Sequence, residues 1–334
     1  MYSLEFIKKY LLPRLIFYIL TIFVGLSLTF FLTRFLPIDP IQQVLGTLSF
    51  QGSYMDPEAV KLLEKTLKEL FGLTGNLVEQ FYNFWKRVLR GDWGPSLYQF
   101  PTPIIDLIRL ALPWTVGLLS TATFISWLLG LIIGSLLGYY RTKRWSRYLC
   151  RVFIAIRPFP YYLFALLILI LFTYLIPAFP LGGSFRIIGF NLTNIIRIIK
   201  NSFLPALSLI ILWTIGYSLN SYFIVQDILM TDYVKFAKIG GVSEGRIFRR
   251  YVLKNTMLPQ MTLLTLSMGH IFGGALITES VFSYPGLGTL AYRAIVSGDY
   301  NLLLAITSFS VVAVTTGTLV VDLLYPLVDP RVRY

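Results

Sequence analysis

The chain has 334 residues, of which 56% are hydrophobic and 13% charged, and its mean hydropathy is +0.70. Soluble globular domains are about a quarter charged, so the composition excludes that class and indicates an integral membrane protein. The net charge of +13 raises nucleic acid as a partner, which the charge distribution below excludes, and the single Cys150 excludes an intramolecular disulfide and a Cys-rich metal site.

The N-terminus is short and basic, and Leu15–Thr33 is an uncharged run of spanning length. It is too long for a signal core and shows no clear cleavage site, so it is read as a retained first span. From Pro37 to about Pro103 the chain is polar and mixed in charge. Asp56-Pro57-Glu58 is a helix start, with a capping Asp and Pro at the first helical position. Leu62, Leu63, Leu67, Leu70 and Phe71 form one face, Glu64/Lys68 and Lys65/Glu69 are i,i+4 pairs, and Gly72 ends the helix. A second helix, about Leu77 to Arg90, carries Phe81, Phe84, Trp85 and Leu89 and stops at Gly91. The string Gly91-Asp92-Trp93-Gly94-Pro95-Ser96 follows. Leu110–Tyr140 is the expected second span, with Gly130, Gly134 and Gly138 at every fourth position, a spacing that admits a close helix neighbour. Packing within one subunit is preferred over a subunit interface for that stripe.

Arg141, Lys143, Arg144, Arg147 and Arg151 form a basic loop. The third span is expected between Pro158 and Pro180, with Pro158 and Pro160 loosening its first turn. Leu181–Lys200 reads as a loop with a surface helix, and Asn201–Gln226 as the fourth span. The segment 231–259 is basic and interrupted by Gly240 and Gly241, so it reads as helix–turn–helix. Ser243 is placed to cap the second helix, Glu244 lies in its first turn, and Ile247, Phe248, Tyr251 and Val252 form an apolar stripe. Met261–Thr278 with its flanks is the fifth span, followed by Glu279-Ser-Val-Phe-Ser-Tyr-Pro285-Gly286-Leu287-Gly288, whose Pro-Gly predicts a sharp turn. Leu302–Val321 is the sixth span, and the chain closes on Asp322-Leu-Leu-Tyr325 and Asp329-Pro330-Arg331.

Six spans put both termini on one side. If that side is cytoplasmic, the inner segments hold 17 of the 29 basic residues, which is the positive-inside bias. The charge thus needs no nucleic acid. His270 is the sole histidine, so any His-based metal cluster or catalytic triad would have to use it, and no G-x-x-x-x-G-K-[ST] phosphate loop is present.

Several strings in order resemble the permease subunits of ABC importers, in the dipeptide/oligopeptide/nickel branch. They are the Gly91-Asp92-x-Gly94-x-Ser96 element, Leu204-Pro205-Ala206, the loop pattern Ala237…Gly241…Leu258-Pro259, the Glu279…Pro285-Gly286-Leu287-Gly288 string and the closing Asp329-Pro330-Arg331. Lys235-Phe236 replace the Glu-Ala of the family's loop. The resemblance implies an all-α membrane protein of the type I importer fold: residues 1–36 as first span, 37–103 as an extracytoplasmic helical insertion, and 104–334 as a five-helix core. It further implies that the loop couples to an ATPase through Ala237, Gly241, Val242, Ser243, Glu244, Ile247 and Phe248. Gly91, Asp92, Gly94, Pro259, Glu279, Pro285, Gly286, Gly288, Asp329 and Pro330 become structural motif positions. The implied partners are a second, paralogous permease subunit, two ATPase subunits that hold the ATP and magnesium, an extracytoplasmic binding protein and the lipid bilayer. No cofactor or metal is expected on this chain, and it is not an enzyme. The outer insertion reads equally as a packed cap or as a contact site. His270, Ser267 and Gly273 are pathway candidates, although a His bonded to a neighbouring helix is the preferred reading of the first. Peptide is the first substrate choice, with oligosaccharide or nickel as alternatives. A stand-alone secondary transporter is the competing class.

Overall fold

The computed structural model describes residues 11–35, 41, 57–177, 179 and 191–328, without the side chains of Pro57, His270, Phe272, Val321 and residues 324–328. Asp56, Asp329 and Pro330 lie outside the described residues. The helices in order are α1 (Leu12–Arg34), α2 (Pro57–Leu70), α3 (Leu77–Arg90), α4 (Ile104–Tyr139), α5 (Arg144–Ile156), α6 (Tyr161–Leu169), α7 (Leu192–Leu229), α8 (Asp232–Ile239), α9 (Glu244–Arg246), α10 (Lys254–His270), α11 (Leu276–Val281), α12 (Leu287–Val296) and α13 (Tyr300–Val328). Among the described residues the β structure is an isolated bridge between Pro95 and Pro103.

Among the described residues four helices are long and apolar enough to cross a membrane: α1, α4, α7 and Tyr300–Val320 of α13. A fifth is the bent pair of α5 and Tyr161–Leu175, which meet at 101°. The expected basic loop at Arg144–Arg151 is therefore helical. Pro158 and Pro160 fall in the break, where a residue without an N–H interrupts no helical bond. The expected surface helix and fourth span merge into one helix, α7, which carries Pro205 inside it. The expected fifth span is instead interrupted: α10 ends at His270, a 3-10 turn covers Ile271–Gly273, and Gly274 takes a left-handed φ of 77° before α11.

Packing divides the chain into two units. The first comprises Met1–Thr115, Phe272–Leu276 and Pro285–Tyr334. In it α1 lies along α13, with Gly25 against Val311 and Tyr18 hydrogen-bonded to Thr316 at 2.9 Å. The α2–α3 hairpin forms as its signals dictate. Gly72 and Gly91 end the two helices at φ 65° and 68°, and Asn76 with Glu79 closes a capping box on α3. Of the expected apolar faces, Leu67, Phe71 and Phe84 are buried, but Leu62 (68% exposed) and Leu89 (82%) face outward and Leu70 is at the margin. Each helix buries a single stripe: Phe84 of α3, flanked by Phe81, Trp85 and Val88, packs on Phe30 and Leu304, while Leu67 and Phe71 at the end of α2 pack on Ile41. The Glu64–Lys68 pair forms at 2.5 Å.

The same unit explains two sequence motifs. Asp92 accepts the Gly94 amide, and Gly94 turns at φ 72°, which brings Ser96 to a buried carboxylate: its Oγ donates to Asp299 Oδ2 at 2.6 Å. Asp299 also accepts the amides of Tyr98 and Leu302, so it caps the start of α13 while holding the Gly91–Ser96 element. In the Pro285–Gly288 string the turn is not made by a left-handed Gly286, whose φ is −99°; the positive φ belongs to Ser283. Gly288 is required for close approach, since a Cβ there would lie 2.6 Å from the Leu276 Cα.

The second unit comprises Val116–Ile271 and Ile277–Tyr284. Its axis is α4 against α7. A Cβ on Gly130 would lie 3.1 Å from the Ser218 nitrogen, one on Gly134 2.7 Å from the Ser218 Cα, and one on Gly138 2.7 Å from the Val225 Cβ. The glycine stripe is thus filled by this chain's own helix. Tyr161 bridges Ser208 and Thr278 at 2.9 and 2.7 Å, which joins α6, α7 and α11.

Gly134→Ala should destabilise the purified protein by about 1–3 kcal/mol through overpacking. Gly216→Ala, where no atom lies within 4 Å, should be neutral or stabilising by up to about 1 kcal/mol. Thermal unfolding in detergent separates the two, and equal behaviour would refute the close α4–α7 contact.

Candidate functional site

The basic segment after α7 forms a braced loop within the second unit. α8 ends in a Schellman motif: the Val242 amide donates to the Ala237 carbonyl and the Gly241 amide to the Lys238 carbonyl, both at 3.1 Å. Gly241 takes the left-handed conformation (φ 74°), whereas Gly240 does not. Ser243 is the N-cap of α9, but through its carbonyl, which accepts from Arg246 and Ile247; its side chain makes no capping bond. The expectation of a hydroxyl cap is corrected accordingly. A π-helical turn, Ile247–Leu253, then leads into α10.

This widened turn places Ile247 and Val252 on the same buried side, where they join Val225, Ile228, Val234 and Ala237. Val242, Phe248 and Tyr251 pack at the edge of that cluster. Ile247 is therefore fully inside the loop's own core and presents no surface. On α8 the exposed apolar side chains are others, Tyr233, Phe236 (71%) and Ile239 (81%). Sequence reasoning missed them because it followed the stripe after the glycines and treated Lys235-Phe236 as a departure from a pattern.

Side-chain links tie the loop, and the end of α7 that leads into it, to the end of α4. The Tyr139 hydroxyl donates to the Glu244 carboxylate, and its ring meets Phe248 at 5.4 Å and Lys238 at 5.7 Å. Gln226 donates to the Gly138 carbonyl at 3.1 Å and accepts from Arg141. Arg246, Arg249, Arg250 and Lys254 are exposed around the loop.

The remaining candidates are scattered. Ser267 accepts from Tyr217 at 2.7 Å, Gly273 is exposed in the 3-10 turn, and the side chain of His270 lies outside the described residues. Pro259 sits exposed inside α10, and Glu279 is buried. Close to Glu279, burial pushes the Tyr284 phenol up, the hydrogen bond with Ser202 opposes this and the Glu279 charge adds to it, so that phenol stays protonated.

Comparison with known proteins places this geometry. The model of the family described as binding-protein-dependent transport system inner membrane component matches residues 130–334. The oligopeptide transport system permease protein AppB of Bacillus subtilis is 28% identical over 284 residues, covering 84% of this chain and 88% of that one. OppB, of the oligopeptide transport system of Haemophilus influenzae, is 27% identical over 326 residues, 98% and 99% of the two chains. The glutathione transport system permease protein GsiC of Escherichia coli K12 is 26% identical over 329 residues, again 98% and 99%. The chain belongs to the binding-protein-dependent transport system inner membrane component family, and it is a membrane-embedded transport component.

A double-mutant cycle on Tyr139→Phe and Glu244→Gln should give a coupling of about 1 kcal/mol in the stability of the purified protein. Additive single effects would show that the bond does not brace the loop.

Proposed function

We propose that this family member is a permease subunit of an ATP-driven peptide importer, and that the loop 231–259 is where it receives work from an ATPase. The observation that carries the reading is the loop itself. α8 exposes Tyr233, Phe236 and Ile239 in a loop that also exposes Arg246, Arg249, Arg250 and Lys254, and a braced turn joins it to the ends of α4, α7 and α10. Burying Phe236 or Ile239 against a partner would contribute about 1.5–3 kcal/mol each. Ala237 and Ile247 would transmit displacement through the buried cluster, Gly241 would hold the turn, and Val242, Ser243, Glu244 and Phe248 would line the edge of the contact.

In this reading the chain has six membrane crossings. The bent pair supplies the third and the interrupted segment from α10 to α11 the fifth. Both termini and the loop lie in the cytoplasm, in keeping with the basic excess there. Residues 37–103 form an outer insertion ahead of the 104–334 core, and the protein resides in the cell membrane. Two ATPase subunits bind ATP and magnesium, a second permease subunit completes the pathway, and an outer binding protein delivers substrate. Peptide is assigned because the similar permeases are named for oligopeptide and glutathione transport. Ser267, Gly273 and His270 remain the pathway candidates. The Gly91–Gly94, Glu279, Pro285–Gly288 and Asp329-Pro330 positions shape the subunit.

The assembled complex provides the test. ATPase subunits should co-purify with the chain. Phe236→Ala, Gly241→Pro and Glu244→Arg should each lower peptide-stimulated ATP hydrolysis and uptake at least about tenfold, the equivalent of 1.4 kcal/mol. Variants that assemble and keep both activities would overturn the assignment of the loop.

A further inference from the structure

We propose that the pocket in the first unit between the end of α1, the α2–α3 hairpin and the start of α13 binds one phosphate-type monoanion through Arg34 and Arg87. Both arginines line this pocket, together with Asn83, Asp92 and Asn301. Arg34 Nη2 donates to the Gly72 carbonyl at 3.4 Å, and both Arg87 Nη atoms share the Leu70 carbonyl at 3.1 Å. These bonds leave most of the ten N–H donors of two guanidiniums for another acceptor. The Arg34 Nε is buried with no acceptor. Among the described residues neither arginine forms an ion pair.

Two like charges held around one pocket repel each other, and an oxyanion between them would offset that while using their fork geometry. Asp92 also lines the pocket, with Oδ1 accepting the Gly94 amide. Two positive charges and one negative leave a surplus of one, which suits a monoanionic phosphodiester better than a phosphate dianion. The position points the same way. Arg34 directly follows the uncharged run of α1, at the level where hydrocarbon gives way to headgroups. Leu32 and Phe35 beside it are 61% and 73% exposed, which offers acyl chains an apolar surface next to the arginines. A phospholipid headgroup and a free phosphate share the chemistry, and the lipid is the source that this placement favours.

Native mass spectrometry of the assembled transporter tests this with added phosphatidylglycerol, or with diacylglycerol as the phosphate-free control. The wild type should retain one phosphatidylglycerol per chain at collision energies that strip bulk lipid. Occupancy should fall about tenfold in Arg34→Gln and Arg87→Gln, and diacylglycerol should not be held. Asn83→Leu narrows the pocket at an exposed position and leaves both carbonyl bonds in place. It should lose the lipid while unfolding at the wild-type temperature, which separates ligand loss from misfolding. If no phosphatidylglycerol is retained but inorganic phosphate raises the unfolding temperature of the wild type and not of Asn83→Leu, the site holds with a free anion as its source. Equal lipid retention in wild type and all three variants with no phosphate effect would overturn the proposal, as would equal retention of diacylglycerol.

Discussion

The second unit depends on the distance between α4 and α7. In a bilayer no hydrophobic drive pulls two apolar helices together, so association rests on close van der Waals contact and on bonds that small residues permit. Gly130, Gly134 and Gly138 remove every side chain from one face of α4, and α7 fills the space with Tyr217, Ser218, Ser221 and Val225. The stripe runs to the last turn of α4. It therefore fixes the end of α7 beside Gly138, where Gln226 bonds the Gly138 carbonyl and Tyr139 reaches Glu244. The loop's orientation follows from a packing constraint that begins two turns away.

The first unit has a comparable constraint, but a polar one. Asp299 is fully buried and accepts from Ser96, Tyr98 and Leu302. Several donors on one buried carboxylate make it tolerable where an unpaired charge would be costly. The same residue starts α13 and fixes the strand of chain that enters α4, so two distant segments share one anchor. Gly288 supplies the other close approach, against Ala275 and Leu276.

Much of this was legible in the sequence for physical reasons that act locally. Gly72, Gly91 and the Gly240-Gly241 pair read as helix ends because glycine takes a left-handed φ without cost, and Gly72, Gly91 and Gly241 do so while Gly240 does not. The glycine stripe was read as a close contact, and it is one. What escaped was set by tertiary geometry. Leu62 and Leu89 fit a helical apolar face, yet the hairpin covers only one stripe and leaves both exposed. The fifth span looked continuous because hydropathy is blind to the left-handed Gly274 that breaks it. Ile247 reads as a partner contact only through the resemblance, whereas its place in the apolar stripe matches the buried position it takes.

The burial of Ile247 bears on how the loop can work. On the proposed function, a partner pushing on Phe236 and Ile239 would move α8, and α8 could not yield alone: its Val234 and Ala237 share a buried cluster with Val225 and Ile228 of α7 and with Ile247 and Val252 before α10. The Schellman bonds and the left-handed Gly241 keep the angle between the two halves of the loop fixed. Interiors are close-packed and deform little, so displacement applied at the exposed face would reappear at the ends of α7 and α10. A flexible loop would absorb it. On that proposal the glycine turn would serve as a rigid corner, with the buried cluster behind it carrying the displacement to the membrane helices.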